Sequence, residues 1–189
     1  MGVVGITGGI GSGKSYVCKL LEVRGIKVYD CDAAAKRLMA NNEGLQRNLS
    51  HLVGDSVYKE SVLQKSVLAK FLLQSDENKL EVDKVVHPMV ADDFLASGLT
   101  WLESAILFES GFDKRLPFVF FVAVTAPIET RVLRIMHRDG ISRRQAMEWI
   151  ARQMPQDEVA RRCNIIVEND GKKDLSSQID QLIIQTKNI

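Results

Sequence analysis

Two hydrophobic periods alternate along the chain. Short apolar runs at Val3-Val4-Gly5-Ile6-Thr7, Ile26 to Tyr29, Leu99 to Glu103, Phe118 to Val124 and Ile165 to Glu168 read as strands. Val3 to Thr7 and Phe118 to Val124 carry no charged residue, as expected of strands covered on both faces. Between these runs the apolar residues return at helical spacing. Tyr16 to Leu21 keeps that spacing, with Arg24 late and Gly25 as its C-cap; Pro127 opens a helix reaching about Arg138, and Asp174 to Thr186 reads as another. Ser142 and Gln145 form a capping box, so Asp139-Gly140 is a turn and a further helix runs from Ser142 to Met154.

From Ala33 to about Ala96 the pattern is helical almost throughout. It predicts helices over Ala33 to Met39, Glu43 to Val53, Val62 to Leu73 and Asn78 to Leu95, the last interrupted by Pro88. Strands alternating with helices predict an α/β fold with a parallel sheet and right-handed crossovers. So long a helical excursion predicts a substrate-binding subregion, 33–96, within a single domain, 1–189.

Composition narrows the classes without naming one. Apolar content of 46% and charged content of 26% are ordinary for a soluble globular chain. A formal charge of +1 gives no general attraction to nucleic acid or to a membrane surface, so neither partner is expected. The longest apolar run, Leu116 to Val124, is too short to span a bilayer. No basic region followed by an apolar stretch opens the sequence, and Ile6 stands where a myristoylation signal needs Ser or Thr. Cys18, Cys31 and Cys163 form no C-x-x-C pair, which argues against a disulfide framework and for the reducing cytoplasm. A monomer or weak homo-oligomer is expected.

The sharpest chemical signal is Gly8-Gly9-Ile10-Gly11-Ser12-Gly13-Lys14-Ser15, which fits G-x-x-x-x-G-K-[ST], the phosphate-binding P-loop. It lies between a predicted strand and a predicted helix, the context the motif requires; an accidental glycine-rich turn is the alternative. Residues Gly9 to Ser15 would bind the nucleotide: backbone N–H groups turn onto phosphate oxygens and the helix N-terminus adds its dipole. Lys14 would reach the β- and γ-phosphates and the Ser15 hydroxyl would ligate Mg²⁺, with a nucleoside triphosphate as co-substrate.

Several P-loop classes lack their other signatures here. No D-x-x-G occurs, and Asn78-Lys79-Leu80-Glu81 misses the guanine motif, which weakens a nucleotide-dependent switch or interaction protein. A small-molecule kinase remains. Asp32, beyond the second strand, is the candidate to accept the acceptor hydroxyl's proton, with Asp30 in support; the competing role for Asp32 is a helix N-cap. Arg131, Arg134, Arg138, Arg143, Arg144 and Arg152 surround a proposed lid, 138–154. Arg138, beside the Asp139-Gly140 hinge, is the catalytic candidate, whereas Arg131 and Arg143 read as solvated ion pairs. His87, before Pro88, either faces a substrate cleft or sits structurally at a kink.

Taken in order, these pieces resemble the dephospho-coenzyme A kinase family. Gly5-Ile6-Thr7 and the loop are similar to that family's opening, and Asp30-Cys31-Asp32 to its Asp-Ala-Asp. His87-Pro88, Leu107-Phe108-Glu109, Arg138-Asp139-Gly140, Gln153-Met154 and Asn169-Asp170-Gly171 resemble later signatures. The resemblance implies a five-stranded parallel sheet in the order 2-3-1-4-5. It implies transfer of the ATP γ-phosphate to the ribose 3′-hydroxyl of dephospho-CoA, with Mg²⁺. Asp30, Asp32, Lys36, Lys65, His87, Leu107 and Glu109 would then meet the acceptor. Lys36 and Lys65 stand where the family commonly carries arginine, Ala105 replaces a proline and Asn164 a frequent aspartate. Another small-molecule or nucleoside monophosphate kinase is the alternative.

Overall fold

The computed structural model describes residues 2–187. In chain order the elements are β1 (Val3–Thr7), α1 (Lys14–Val23), β2 (Val28–Asp30), α2 (Cys31–Asn41) and α3 (Glu43–Val53). They continue with β3 (Tyr58–Lys59), β4 (Val62–Leu63), α4 (Lys65–Leu72), α5 (Asp76–Ser97), β5 (Trp101–Glu103) and α6 (Phe112–Arg115). The remainder are β6 (Phe118–Thr125), α7 (Ile128–Asp139), α8 (Arg143–Ala151), α9 (Gln156–Arg161), β7 (Ile165–Glu168) and α10 (Leu175–Thr186). The chain divides into two compact units, one running up to Tyr29 and resuming at Leu99, the other Asp30–Gly98.

The larger sheet has the order β2-β5-β1-β6-β7. Counted without the small hairpin, that is the expected 2-3-1-4-5. β1 is central and pairs in parallel with β5 (Gly5 opposite Leu102) and with β6 (Gly5 opposite Phe121). Every residue of β1 is buried, which explains its uncharged text. Val4 and Ile6 of β1, Val17 and Leu21 of α1, and Ile179 and Leu182 of α10 share one core cluster. Burying each such side chain contributes about 1.5–3 kcal/mol. A second cluster joins Val132 and Ile135 of α7 to Ala146 of α8.

The unit Asp30–Gly98 has its own buried residues, among them Leu45, Leu49, Val86 and Phe94. It departs from the all-helical expectation at one place. Tyr58 pairs with Leu63 and Lys59 with Val62 in an antiparallel hairpin, so the helix expected from Val62 begins only at Lys65. The Tyr58 hydroxyl donates to the Met39 carbonyl at 2.9 Å, tying the hairpin to α2. Pro88 does not interrupt α5, which runs from Asp76 to Ser97 with the proline inside it. Ser75 caps its start and Gly98, at φ 69°, ends it. No helix among the described residues is long and apolar enough to cross a membrane.

Candidate active site

The loop between β1 and α1 is shaped by its two outer glycines. A Cβ on Gly8 would lie 2.2 Å from the Val124 carbonyl oxygen, a backbone atom with no freedom to retreat. Gly13, at φ 93°, is the N-cap of α1, and a Cβ there would lie 2.0 Å from Asn169 Nδ2. Both positions therefore need glycine for the loop's seat on the protein. Among the described residues, the backbone N–H groups of Gly11, Gly13, Lys14 and Ser15 take no acceptor within the loop. They form an anion cradle at the start of a helix. The buried Ser12 hydroxyl likewise finds no hydrogen-bond partner there.

Lys14 is buried and its Nζ donates to the Gly8 carbonyl at 2.8 Å, folding the side chain back over the loop. The same ammonium stands 3.6 Å from Oε1 of Glu103, the last residue of β5. Cation and carboxylate thus meet where the strands end, the edge at which open α/β sheets collect ligands. Ser15 is exposed in the first turn of α1.

The outer face of the loop is gripped by side chains from α7 and from the end of β7. Arg131 is buried, not solvated as the sequence reading had it. Its Nε donates to the Ile10 carbonyl at 2.9 Å, and burial lowers its pKa from the usual guanidinium value. Arg134 donates to the Gly11 and Ser12 carbonyls at 3.3 and 3.1 Å and to the Asn169 carbonyl at 3.1 Å. Asn169 Nδ2 donates to the Ser12 carbonyl at 3.0 Å, and Ile10 N–H donates to Gln153 Oε1 at 2.6 Å. Arg131 and Arg134 of α7 therefore hold the loop's carbonyls on the outside and leave its N–H groups unengaged by them.

A family model described as dephospho-CoA kinase matches residues 2–174. The chain belongs to the dephospho-CoA kinase family. A dephospho-CoA kinase of Bacteroides fragilis (strain YCH46) is 40% identical over 187 residues, 95% of this chain and 90% of that one. A crystal structure of a Thermus thermophilus protein superposes with a TM-score of 0.82 at 33% identity, covering 98% of this chain and 97% of that one. The structure of a dephospho-CoA kinase from Campylobacter jejuni gives a TM-score of 0.67 at 20% identity over 99% and 98% of the two chains, a likeness of fold.

The other residues picked out by likeness to the dephospho-CoA kinase family fall in varied settings. Asp30, not Asp32, caps α2: its Oδ1 accepts the Ala33 N–H at 2.9 Å. Asp32 lies exposed in the first turn, and among the described residues its carboxylate makes no hydrogen bond or ion pair. Lys36 and Lys65 are exposed on α2 and α4. His87 is half-buried within α5, its Nε2 3.4 Å from Asp83 Oδ1, so it stands in an unbroken helix and not at a break. Leu107 is wholly buried, and a Cβ on Gly5 would lie 2.8 Å from its Cδ1; that side chain packs under β1 and is not open to a substrate. Glu109 Oε1 accepts the Met154 N–H at 3.0 Å.

Arg138 is exposed, and its guanidinium pairs with neighbouring Asp139 at 2.7 Å; the hydrogen bond raises the arginine's pKa and lowers the aspartate's. Arg143 pairs with Glu129 at 2.7 Å, the surface ion pair its position predicts. Sequence reasoning gave no role to Glu103, and named Gln153 and Asn169 only within stretches resembling the family's signatures. The available signal was position: Glu103 is a carboxylate ending an otherwise apolar buried strand, and Asn169 directly follows β7.

Proposed function

We infer that the protein uses ATP to phosphorylate the ribose 3′-hydroxyl of dephospho-CoA, giving CoA and ADP. One observation carries this reading. The family match runs through residues 2–174, so it takes in the Asp30–Gly98 unit as well as the loop. A P-loop alone would leave the acceptor open.

The chemistry asked of the chain is positioning and charge stabilisation. The cradle N–H groups and Lys14 bind the β- and γ-phosphates, the lysine exchanging its contact with the Gly8 carbonyl for phosphate oxygen. Mg²⁺ in such sites takes one or two protein oxygens and several from phosphate and water. The Ser15 hydroxyl and the Glu103 carboxylate are hard donors that fit this need. When bound, the ion neutralises charge on the β- and γ-oxygens. Asp32 takes the proton of the attacking hydroxyl; its carboxylate is uncommitted while that of Asp30 serves the helix. Arg138 serves as the lid arginine, trading Asp139 for phosphate. The protein works in the cytoplasm on small molecules, as a monomer or weak homo-oligomer.

A coupled ADP-release assay with dephospho-CoA, nucleoside monophosphates and small alcohols tests the reading. Turnover is expected with dephospho-CoA at least about a hundredfold above the others, because a site that hydrogen-bonds its substrate rejects analogues lacking those groups. Equal or greater turnover on a nucleoside monophosphate would overturn the assignment.

A further inference from the structure

Ile10 sits at the tip of the phosphate loop and is held from three directions by one stretch of chain. Its side chain packs on Val132, Ile135 and Ala146 in the cluster of α7 and α8. Its carbonyl accepts Arg131 Nε–H at 2.9 Å, and its N–H donates to Gln153 Oε1 at 2.6 Å. Gln153 is supplied from the linker after α8, which is itself fixed. Its own N–H donates to the Ile150 carbonyl at 3.3 Å, and the N–H of Met154 donates to Glu109 Oε1 at 3.0 Å.

The peptide between Gly9 and Ile10 is the vulnerable one. Glycine has wide conformational freedom, so rotation of this plane costs little locally. A half-turn would carry the Gly9 carbonyl oxygen away from the Ser12 N–H and towards Gln153 Oε1, opening the turn that sets the N–H groups after it. The plane is held at both ends: the Gly9 carbonyl accepts the Ser12 N–H at 3.1 Å, and the Ile10 N–H is taken by Gln153. A Cβ on Gly9 would lie 3.2 Å from Gln153 Oε1, so the amide sits directly over the loop backbone.

We propose that Gln153 is a positioning residue for nucleotide binding, which accepts the Ile10 N–H and thereby fixes the Gly9–Ile10 peptide in its phosphate-receiving orientation. The proposal rests on the ATP reading above. It acts through preorganisation: a loop that must be ordered on binding gives weaker affinity than one already set.

The test is calorimetric titration of Mg²⁺-ATP into the parent protein, Gln153→Leu and Gln153→Glu, with melting curves and steady-state rates alongside. Leucine keeps the bulk and loses the acceptor, so ATP affinity should fall about tenfold. The KM for dephospho-CoA and the kcat at saturating ATP should change less than about threefold. Glutamate keeps an acceptor oxygen of the same reach, beside the Arg131 guanidinium, and should restore most of the lost affinity. ATP affinity of Gln153→Leu within twofold of the parent would overturn the proposal. So would an equal loss in both variants that tracks a fall in melting temperature, the mark of a purely structural role. A parent protein that binds no ATP would instead remove the nucleotide reading on which the proposal stands.

Discussion

Asp30 and Asp32 are two residues apart and chemically alike, yet their surroundings separate them. β2 runs straight into α2 with no intervening loop, so the cap falls on the last strand residue, Asp30. Sequence reasoning offered Asp32 a cap as its competing role because it started the helix two residues late, and boundaries depend on tertiary context that a local pattern lacks. The separation can be measured. Asp32→Asn should leave the melting temperature unchanged and slow single-turnover phosphoryl transfer by roughly 10²–10⁴-fold, through loss of the proton acceptor. Asp30→Ala should cost about 1 kcal/mol of stability through the lost cap, which Asp30→Asn should largely keep. A full-rate Asp32→Asn protein would move the base elsewhere. The P-loop was fully legible because each of its residue types answers a local requirement. Arg131 was not: three arginines spaced along one helix look alike in text, and only packing buries Arg131 while Arg138 stays exposed.

Whole elements were legible where a local rule fixed them. The Ser142–Gln145 capping box is present, with Ser142 Oγ accepting the Gln145 N–H, and α3 and β7 keep the bounds their patterns predict. The β3–β4 hairpin was hidden for a physical reason. Its turn residues, Glu60 and Ser61, lie at φ 51° and 62°, where Asn-Gly would ordinarily announce a two-residue turn. With no such signal, Val62 to Leu73 read as one helix. α5 was misread in the opposite sense: Pro88 forfeits one helical hydrogen bond, but the buried face formed by Val82, Val86, Val90 and Phe94 continues on both sides of it. The strained turn yields its own prediction. Replacing Glu60 by Asn and Ser61 by Gly together should raise stability by about 0.5–1 kcal/mol, measured by urea unfolding of the full chain. Unchanged or lower stability would mean that the side chains of Glu60 and Ser61 offset the strain they carry.

At the scale of the molecule, one unit is assembled from two stretches of chain and the other, Asp30–Gly98, is continuous between them. The phosphate loop, with the residues that grip it, belongs wholly to the first. Of the residues put forward for the acceptor, Asp30, Asp32, Lys36, Lys65 and His87 belong to the second and Leu107 and Glu109 to the first. The two ligands should therefore leave separate footprints in amide hydrogen exchange. ATP with Mg²⁺ should protect Gly8 to Lys19 and the Gln153–Met154 linker, because cradle N–H groups acquire phosphate partners and the loop's opening is suppressed. Dephospho-CoA alone should slow exchange in α2 and α4, the helices bearing the candidate acceptor groups. Lys14→Ala should abolish the first footprint and leave the second, if its ammonium has the phosphate role proposed above, because Lys14 belongs to neither core cluster. Protection by dephospho-CoA confined to the first unit would show that the helical unit does not hold the acceptor. Lys36 and Lys65 would then be surface charges, and the acceptor groups would have to be sought among residues beyond Leu99.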